Sequence, residues 1–347
     1  MAKMIDVGGV QIGGGAPISV QSMTNTKTED VEATAAQIKR LEAAGCDIVR
    51  VAVPNIDAAK AIAKLKERTK LPIVADIHFD YKLALEAISA GADKIRINPG
   101  NIGSEDRVKA VADACKARSI PIRIGVNGGS LEKEIKAKYG GVTAEGMFES
   151  AMGHVRLLNK FDFDDICISV KSSSVPLTIA AYRLISEKTD YPLHLGVTEA
   201  GTEYSGIIKS AVGIGSLLAD GIGDTIRVSL TAPPEHEVTA GIGILKSLGL
   251  RKSGVRFVSC PSCGRCDIDL IGLATSVERR LSGLDRNITV AVMGCVVNGP
   301  GEASDADFGI AGGKGVGIIF AKGKTVKKVP FEQLEDELMK LIEESNT

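Results

Sequence analysis

The sequence predicts a (β/α)₈ TIM barrel followed by a small α+β domain. From residue 18 to about 249, short Ile/Val-rich runs alternate with longer stretches carrying Ala, Lys, Glu and Leu at helical spacing. That alternation argues for a parallel sheet. Eight such beats fit a closed barrel better than the alternative, an open doubly wound sheet. Past Gly249 the rhythm breaks into a cysteine-rich turn and a glycine-rich stretch.

The eight strands are expected at Ile18–Met23, Asp47–Val53, Pro72–His78, Lys94–Asn98, Pro121–Asn127, Asp165–Ser172, Pro192–Glu199 and Thr225–Leu230. Between them, helical patterns include Val31–Ala44, Ala58–Thr69, Arg107–Arg118, Ala144–Lys160 and Val175–Glu187. The second domain offers an amphipathic helix at Ile268–Ser282, a strand at Asn287–Met293, a hairpin at Ile310–Lys324 and a charged helix at Phe331–Glu344. The expected division is residues 1–250 for the barrel and 255–347 for the small domain. Its glycine-rich core is modest, so a bound metal centre would help hold it together.

Composition narrows the function. A formal net charge of −1 provides no global field for nucleic acid or an acidic membrane, so any anion site must be built locally. Trp is absent and aromatics are 4%, which leaves little for base stacking. No apolar run approaches the roughly 18 residues of a membrane span. The first residues lack the apolar core of a signal peptide, so a cytoplasmic protein with reduced thiols is expected.

Barrel enzymes bind ligands at the C-terminal ends of their strands, and those ends are polar here. Strand two carries Arg50, strand three Asp76 and His78, strand four Arg96 and Asn98, strand five Arg123 and Asn127. Lys171 ends strand six, Thr198 and Glu199 end strand seven, and strand eight carries Arg227 and Ser229. Residues two apart on a strand share a face. The cations Arg50, Arg96, Arg123, Lys171 and Arg227 outnumber Asp76 and Glu199, so the cluster is repulsive unless an anion joins it. Guanidinium forks suit phosphate oxygens, and a substrate with more than one phosphate is the economical reading. His78 reads as a proton or hydrogen-bond donor, or as a structural partner of Asp76. His154 and His194 read as structural, His236 as an exposed helix-start residue. Cys46, Cys115 and Cys167 fall at core positions and read as buried apolar thiols.

The remaining cysteines carry the redox signal. Cys260, Cys263 and Cys266 lie in Ser-Cys-Pro-Ser-Cys-Gly-Arg-Cys, and Cys295 lies in Gly-Cys-Val-Val-Asn-Gly-Pro-Gly-Glu, which ends at Glu302. This set suits an iron–sulfur cluster; structural zinc is the plainer alternative. A non-catalytic electron carrier would not need the strand-end arginines. A zinc-stabilised phosphate-binding barrel of the pterin-transferase type is a second rival.

Five segments carry a resemblance that spans essentially the whole chain: Val-Gln-Ser-Met-Thr-Asn-Thr (20–26), Ala-Asp-Ile-His-Phe-Asp (75–80), Lys-Ile-Arg-Ile-Asn-Pro-Gly (94–100), Ser-Cys-Pro-Ser-Cys-Gly-Arg (259–265) and Gly-Cys-Val-Val-Asn-Gly-Pro-Gly-Glu-Ala (294–303). The chain resembles the bacterial 4-hydroxy-3-methylbut-2-enyl-diphosphate synthase family of the non-mevalonate isoprenoid pathway, in its short two-domain form. The resemblance implies a [4Fe–4S] cluster on Cys260, Cys263, Cys295 and Glu302. Cys266 is a fourth thiol that the family pattern does not require; it reads as a bystander, the alternative being a ligand that would free Glu302. It implies 2-C-methyl-D-erythritol 2,4-cyclodiphosphate as substrate and flavodoxin or ferredoxin as electron donor. Asp76, His78, Asn98, Asn127, Glu199 and Asn298 would then orient hydroxyls or deliver a proton, and Glu302 would be the replaceable cluster ligand. The eighth helix should end on the face opposite the barrel mouth, and residues 249–259 span at most about 35 Å. A head-to-tail homodimer, each cluster domain capping the partner's barrel about a hinge near Lys252–Gly254, is therefore expected.

Overall fold

The computed structural model describes the chain except residues 1, 253, 267, 296–300, 302, 314 and 346–347, with the backbone alone for Pro99 and Gly100. Two compact units divide it, Met1–Arg251 and Lys252–Thr347.

The first unit opens with a hairpin that the sequence pattern does not reveal, β1 (Ile5–Val7) and β2 (Val10–Ile12). Its turn residues Gly8 and Gly9 have φ of 57° and 94°, the left-handed values a two-residue hairpin turn needs. Eight parallel strands follow: β3 (Ser19–Met23), β4 (Ile48–Ala52), β5 (Ile73–Asp76), β6 (Lys94–Ile97), β7 (Ile122–Asn127), β8 (Ile166–Lys171), β9 (His194–Leu195) and β10 (Thr225–Ile226). Their order is β8-β7-β6-β5-β4-β3-β10-β9, and a parallel bridge from Ile168 to Leu193 joins the two ends. All eight lie within the expected ranges. The last two are far shorter than expected, with two ladder residues each.

Side chains also close the barrel. Helix Val175–Lys188 buries Tyr182 against β8. The Tyr182 hydroxyl accepts from Val170 N–H and donates to the His194 carbonyl, linking β8 to β9 where the ladder is sparse. Helices start where polar side chains accept the first free N–H groups, as Asp30, Asn55, Thr143 and Ser174 do. At the N-terminal ends of the strands, Ile5, Val7 and Ile12 of the hairpin pack with Ile48, Val74 and Cys167 and close the barrel floor. Cys46, Cys115 and Cys167 are buried, and burial pushes each thiol up, Cys46 to about 12.

The second unit is a five-stranded mixed sheet. Strands β11 (Arg256–Ser259), β12 (Thr289–Met293) and β13 (Phe308–Gly312) are parallel; β14 (Val316–Ala321) and β15 (Lys324–Pro330) continue antiparallel. Helices Leu270–Leu281 and Leu334–Glu344 supply its apolar cover. The sequence pattern does not predict β11, and it predicts a two-stranded hairpin where β13, β14 and β15 form a three-stranded meander.

Replacing Tyr182 with Phe leaves a buried N–H and a buried C=O without this partner. It should cost about 1–3 kcal/mol, read as a lower denaturation midpoint at unchanged slope; an unchanged midpoint would remove Tyr182 from barrel closure.

Candidate active site

The strand ends enclose a cavity of about 360 Å³. Of the residues expected there, Arg50, Asp76, His78, Arg96, Asn98, Arg123, Asn127, Lys171, Thr198, Arg227 and Ser229 all line it. Glu199 does not. The β9 ladder stops at Leu195, and Glu199 is exposed with a left-handed φ of 53°. Asn298 and Glu302 lie outside the described residues.

Asp76 sits at the centre of the charge pattern. Its carboxylate accepts from Arg96 Nη1 at 3.1 Å and faces Arg50 Nε at 3.6 Å. Burial alone would raise its pKa, but Arg50, Arg96 and Arg123 overcome that and hold it at about 2. His78 Nε2 stands 4.0 Å from Asp76, beyond hydrogen-bond reach, and the His78 side chain is more than half exposed. The histidine is thus available to a ligand rather than tied to the aspartate.

Arg227 finds its carboxylate elsewhere. Its Nε lies 3.5 Å from Glu237, which also accepts from Ser22 Oγ and Leu230 N–H. Glu237 sits on helix Pro234–Ser247, where no sequence pattern marked it as part of the site. Among the described residues, five cations at this mouth face two carboxylates, Asp76 and Glu237. Lys171 and Arg50 both bear the mismatch: for Lys171, burial, then Arg123, Arg227, Arg50 and Arg96, hold its ammonium far below the usual range. Arg123 is lowered to about 10, first by burial and then by Arg96. Such a set is relieved by an anion with several oxygens.

Two glycines make room for these heads. A Cβ on Gly125 of β7 would stand 2.6 Å from Arg96 Nε, and one on Gly196 would stand 2.6 Å from Lys171 Nζ. Both occupy inner-face positions where any side chain would displace a cation. Phe79, Asn101, Ser130 and Ser169 also line the cavity and were not anticipated. Phe79 is 71% exposed, an unusual position for a large apolar ring.

The cysteines gather at the corresponding edge of the second sheet. Cys260 directly follows β11 and Cys295 lies two residues beyond β12, its parallel neighbour. Gly294 N–H donates to Cys260 Sγ at 3.1 Å, the contact that stabilises a thiolate in an iron–sulfur site. Cys263 is exposed on the intervening turn, and Cys295 is partly exposed. Cys266 has not turned away: a Cβ on Gly294 would meet its Sγ at 2.9 Å. Yet its thiol donates to the Ile268 carbonyl at 3.4 Å and packs on the apolar core. Among the described residues no three His, Cys, Asp or Glu side chains are gathered tightly enough for a single metal ion. The thiols at this edge, with an N–H aimed at one sulfur, fit a cluster.

Comparison with known proteins places the chain. Residues 2–242 match the GcpE TIM-barrel domain and residues 256–344 the GcpE protein C-terminal domain. The chain belongs to the GcpE family. GcpE relatives include a protein of Ruminiclostridium cellulolyticum, 62% identical over 99% of this chain and 97% of that protein. Another, from Caldanaerobacter subterraneus subsp. tengcongensis, is 63% identical over the same shares. Both are named 4-hydroxy-3-methylbut-2-en-1-yl diphosphate synthase (flavodoxin). The GcpE barrel also resembles the Yersinia pestis dihydropteroate synthase structure, with TM-score 0.51, 12% identity, and 72% of this chain and 98% of that one covered. That likeness is one of fold alone.

Gly125→Ala and Gly196→Ala should each weaken inorganic diphosphate binding at least about tenfold, by displacing Arg96 and Lys171 respectively. Titration calorimetry reads this, and unchanged affinity would mean that the displaced cations do not hold the anion.

Proposed function

We propose that the protein opens the ring of 2-C-methyl-D-erythritol 2,4-cyclodiphosphate and removes a hydroxyl, giving 4-hydroxy-3-methylbut-2-enyl diphosphate. The observation that carries this reading is the uncompensated cation set at the barrel mouth, matched to a diphosphate and carried by a chain about 60% identical to proteins named for this product. The reaction balances as substrate dianion, two electrons and one proton giving product trianion and one water.

Arg50, Arg96, Arg123, Lys171 and Arg227 bind both phosphates and take up the charge that develops on the leaving diphosphate oxygen. Asn98, Asn127 and Ser229 orient substrate hydroxyls. His78, exposed and unattached to Asp76, is positioned to deliver the proton. Asp76 holds Arg50 and Arg96 in place. Cys260, Cys263 and Cys295, with Glu302 as the replaceable fourth ligand, would hold a [4Fe–4S] cluster. When bound, the cluster supplies electrons one at a time, received from flavodoxin. Glu199 keeps a part in orienting substrate only where ligand binding brings it to the mouth, and Asn298 is assigned the same role by the resemblance. A homodimer in which each cluster domain serves the partner's barrel, in the cytoplasm, completes the reading.

Three experiments test it. Cys263→Ser should lose iron and the visible cluster absorption after anaerobic reconstitution, while Cys266→Ser keeps both; the reverse result would exchange their roles. Arg123→Leu should raise KM more than about tenfold, and an unchanged KM would remove it from the anion site. Finally, two inactive variants, Arg123→Leu/Arg96→Leu and Cys263→Ser, should regain activity when co-refolded. Random pairing gives about a quarter of wild-type activity if each site is shared between subunits. No recovery would place barrel and cluster of one site in the same chain.

A further inference from the structure

Below the substrate cavity the barrel interior is polar, where such barrels are normally packed with branched apolar residues. Lys94 lies two residues before Arg96 on β6 and shares its inward face. It is 0% exposed, and its Nζ has no hydrogen-bond partner among the described residues. The same holds for both ring nitrogens of His194, two residues before Gly196, and for Thr225 Oγ1, two residues before Arg227. Gln21 Nε2 and Arg123 Nε add further unpartnered donors to this interior.

The charged and titratable groups that act on Lys94 are Arg123 of β7, Arg50 of β4 and Cys167 of β8. His194 lies within its electrostatic reach on β9. None is a carboxylate, and Cys167 is a protonated thiol, its pKa raised by burial. An isolated ammonium among guanidiniums is costly, and burial first, then Arg123 and Arg50, lowers Lys94 to about 7. Arg50 and Arg123 also line the cavity, so an anion they bind acts on Lys94 as well.

We propose that Lys94 is a charge-compensating proton store beneath the active site, neutral in the free protein at mildly alkaline pH and protonated when a diphosphate fills the cavity above it. The step is simple: the neutral amine takes one proton from solvent and becomes an ammonium as the dianion binds. It returns that proton when the product leaves. A unit negative charge two residues up the strand, roughly 7 Å away, raises a buried amine's pKa by more than about one pH unit. The substrate itself contributes nothing, because each phosphorus of a cyclic diphosphate keeps one strongly acidic oxygen that is already ionised. Lys94 is a positioning residue in this scheme, since it acts on substrate through Arg50 and Arg123. The proposal rests on the substrate reading given above.

The sign follows from the free-state pKa. Below about 7 Lys94 is already charged and takes up little; above it, binding must draw in a proton, so affinity falls as pH rises. The test is calorimetric titration of the reconstituted, oxidised protein with the cyclodiphosphate, without electron donor, in buffers of different ionisation enthalpy. Lys171 lines the cavity and its ammonium is also disfavoured by burial, so the difference between proteins is what is read. At pH 8 the wild type should take up about one proton more per substrate than Lys94→Met, and at pH 6 the two should agree. Wild-type affinity should weaken about tenfold more between pH 6 and pH 8 than that of Lys94→Met. Lys94→Arg, permanently charged, should show the methionine variant's proton uptake while binding at pH 8 no more weakly than wild type. Equal uptake in wild type and Lys94→Met at pH 8 would overturn the proposal. Failure of the wild type to bind the cyclodiphosphate would instead remove the substrate reading, and this proposal with it.

Discussion

Repulsion among buried cations is the constraint on which the site depends. Four barrel arginines and Lys171 point at one cavity, and two carboxylates face them. The rest of the mouth serves to hold those heads where they oppose one another. Asp76 pins Arg50 and Arg96, Glu237 pins Arg227, and Gly125 and Gly196 leave space that a methyl group would deny. Substrate binding then relieves strain already built into the folded protein, which is how a small ligand is held firmly while its bonds are rearranged.

The barrel was legible because two periodicities are written plainly in the chain. Inner-face residues recur every second position, so the spacing of Arg96 and Asn98, or of Arg227 and Ser229, by itself announces a shared direction. Eleven of the anticipated residues, Thr198 among them, line the cavity. Glu199 failed because its backbone turns into the left-handed region, which ends the extended alternation at that residue, whereas Thr198 just before it still lines the cavity. Glu237 was missed for the opposite reason: it reaches the site from a helix, where its surroundings read as an ordinary acidic first turn. The floor hairpin was illegible too, since three-residue strands are shorter than any periodic signal.

In the second domain, cysteine spacing pointed to a candidate metal site, while sheet order explains why the thiols share an edge. β11 and β12 are neighbours in a parallel pair, so the ends that carry Cys260 and Cys295 emerge side by side. Spacing could not separate Cys263 from Cys266. Their surroundings differ: Cys266 is partly buried and donates to the Ile268 carbonyl, whereas Cys263 is exposed on its turn.

The most direct measurement is a crystal structure of the protein grown anaerobically with the cyclodiphosphate. The account requires both phosphate groups inside the barrel mouth, with oxygens on Arg123 and Lys171 and at least two of Arg50, Arg96 and Arg227. A ligand bound with its phosphates toward solvent, or outside the barrel altogether, would contradict it.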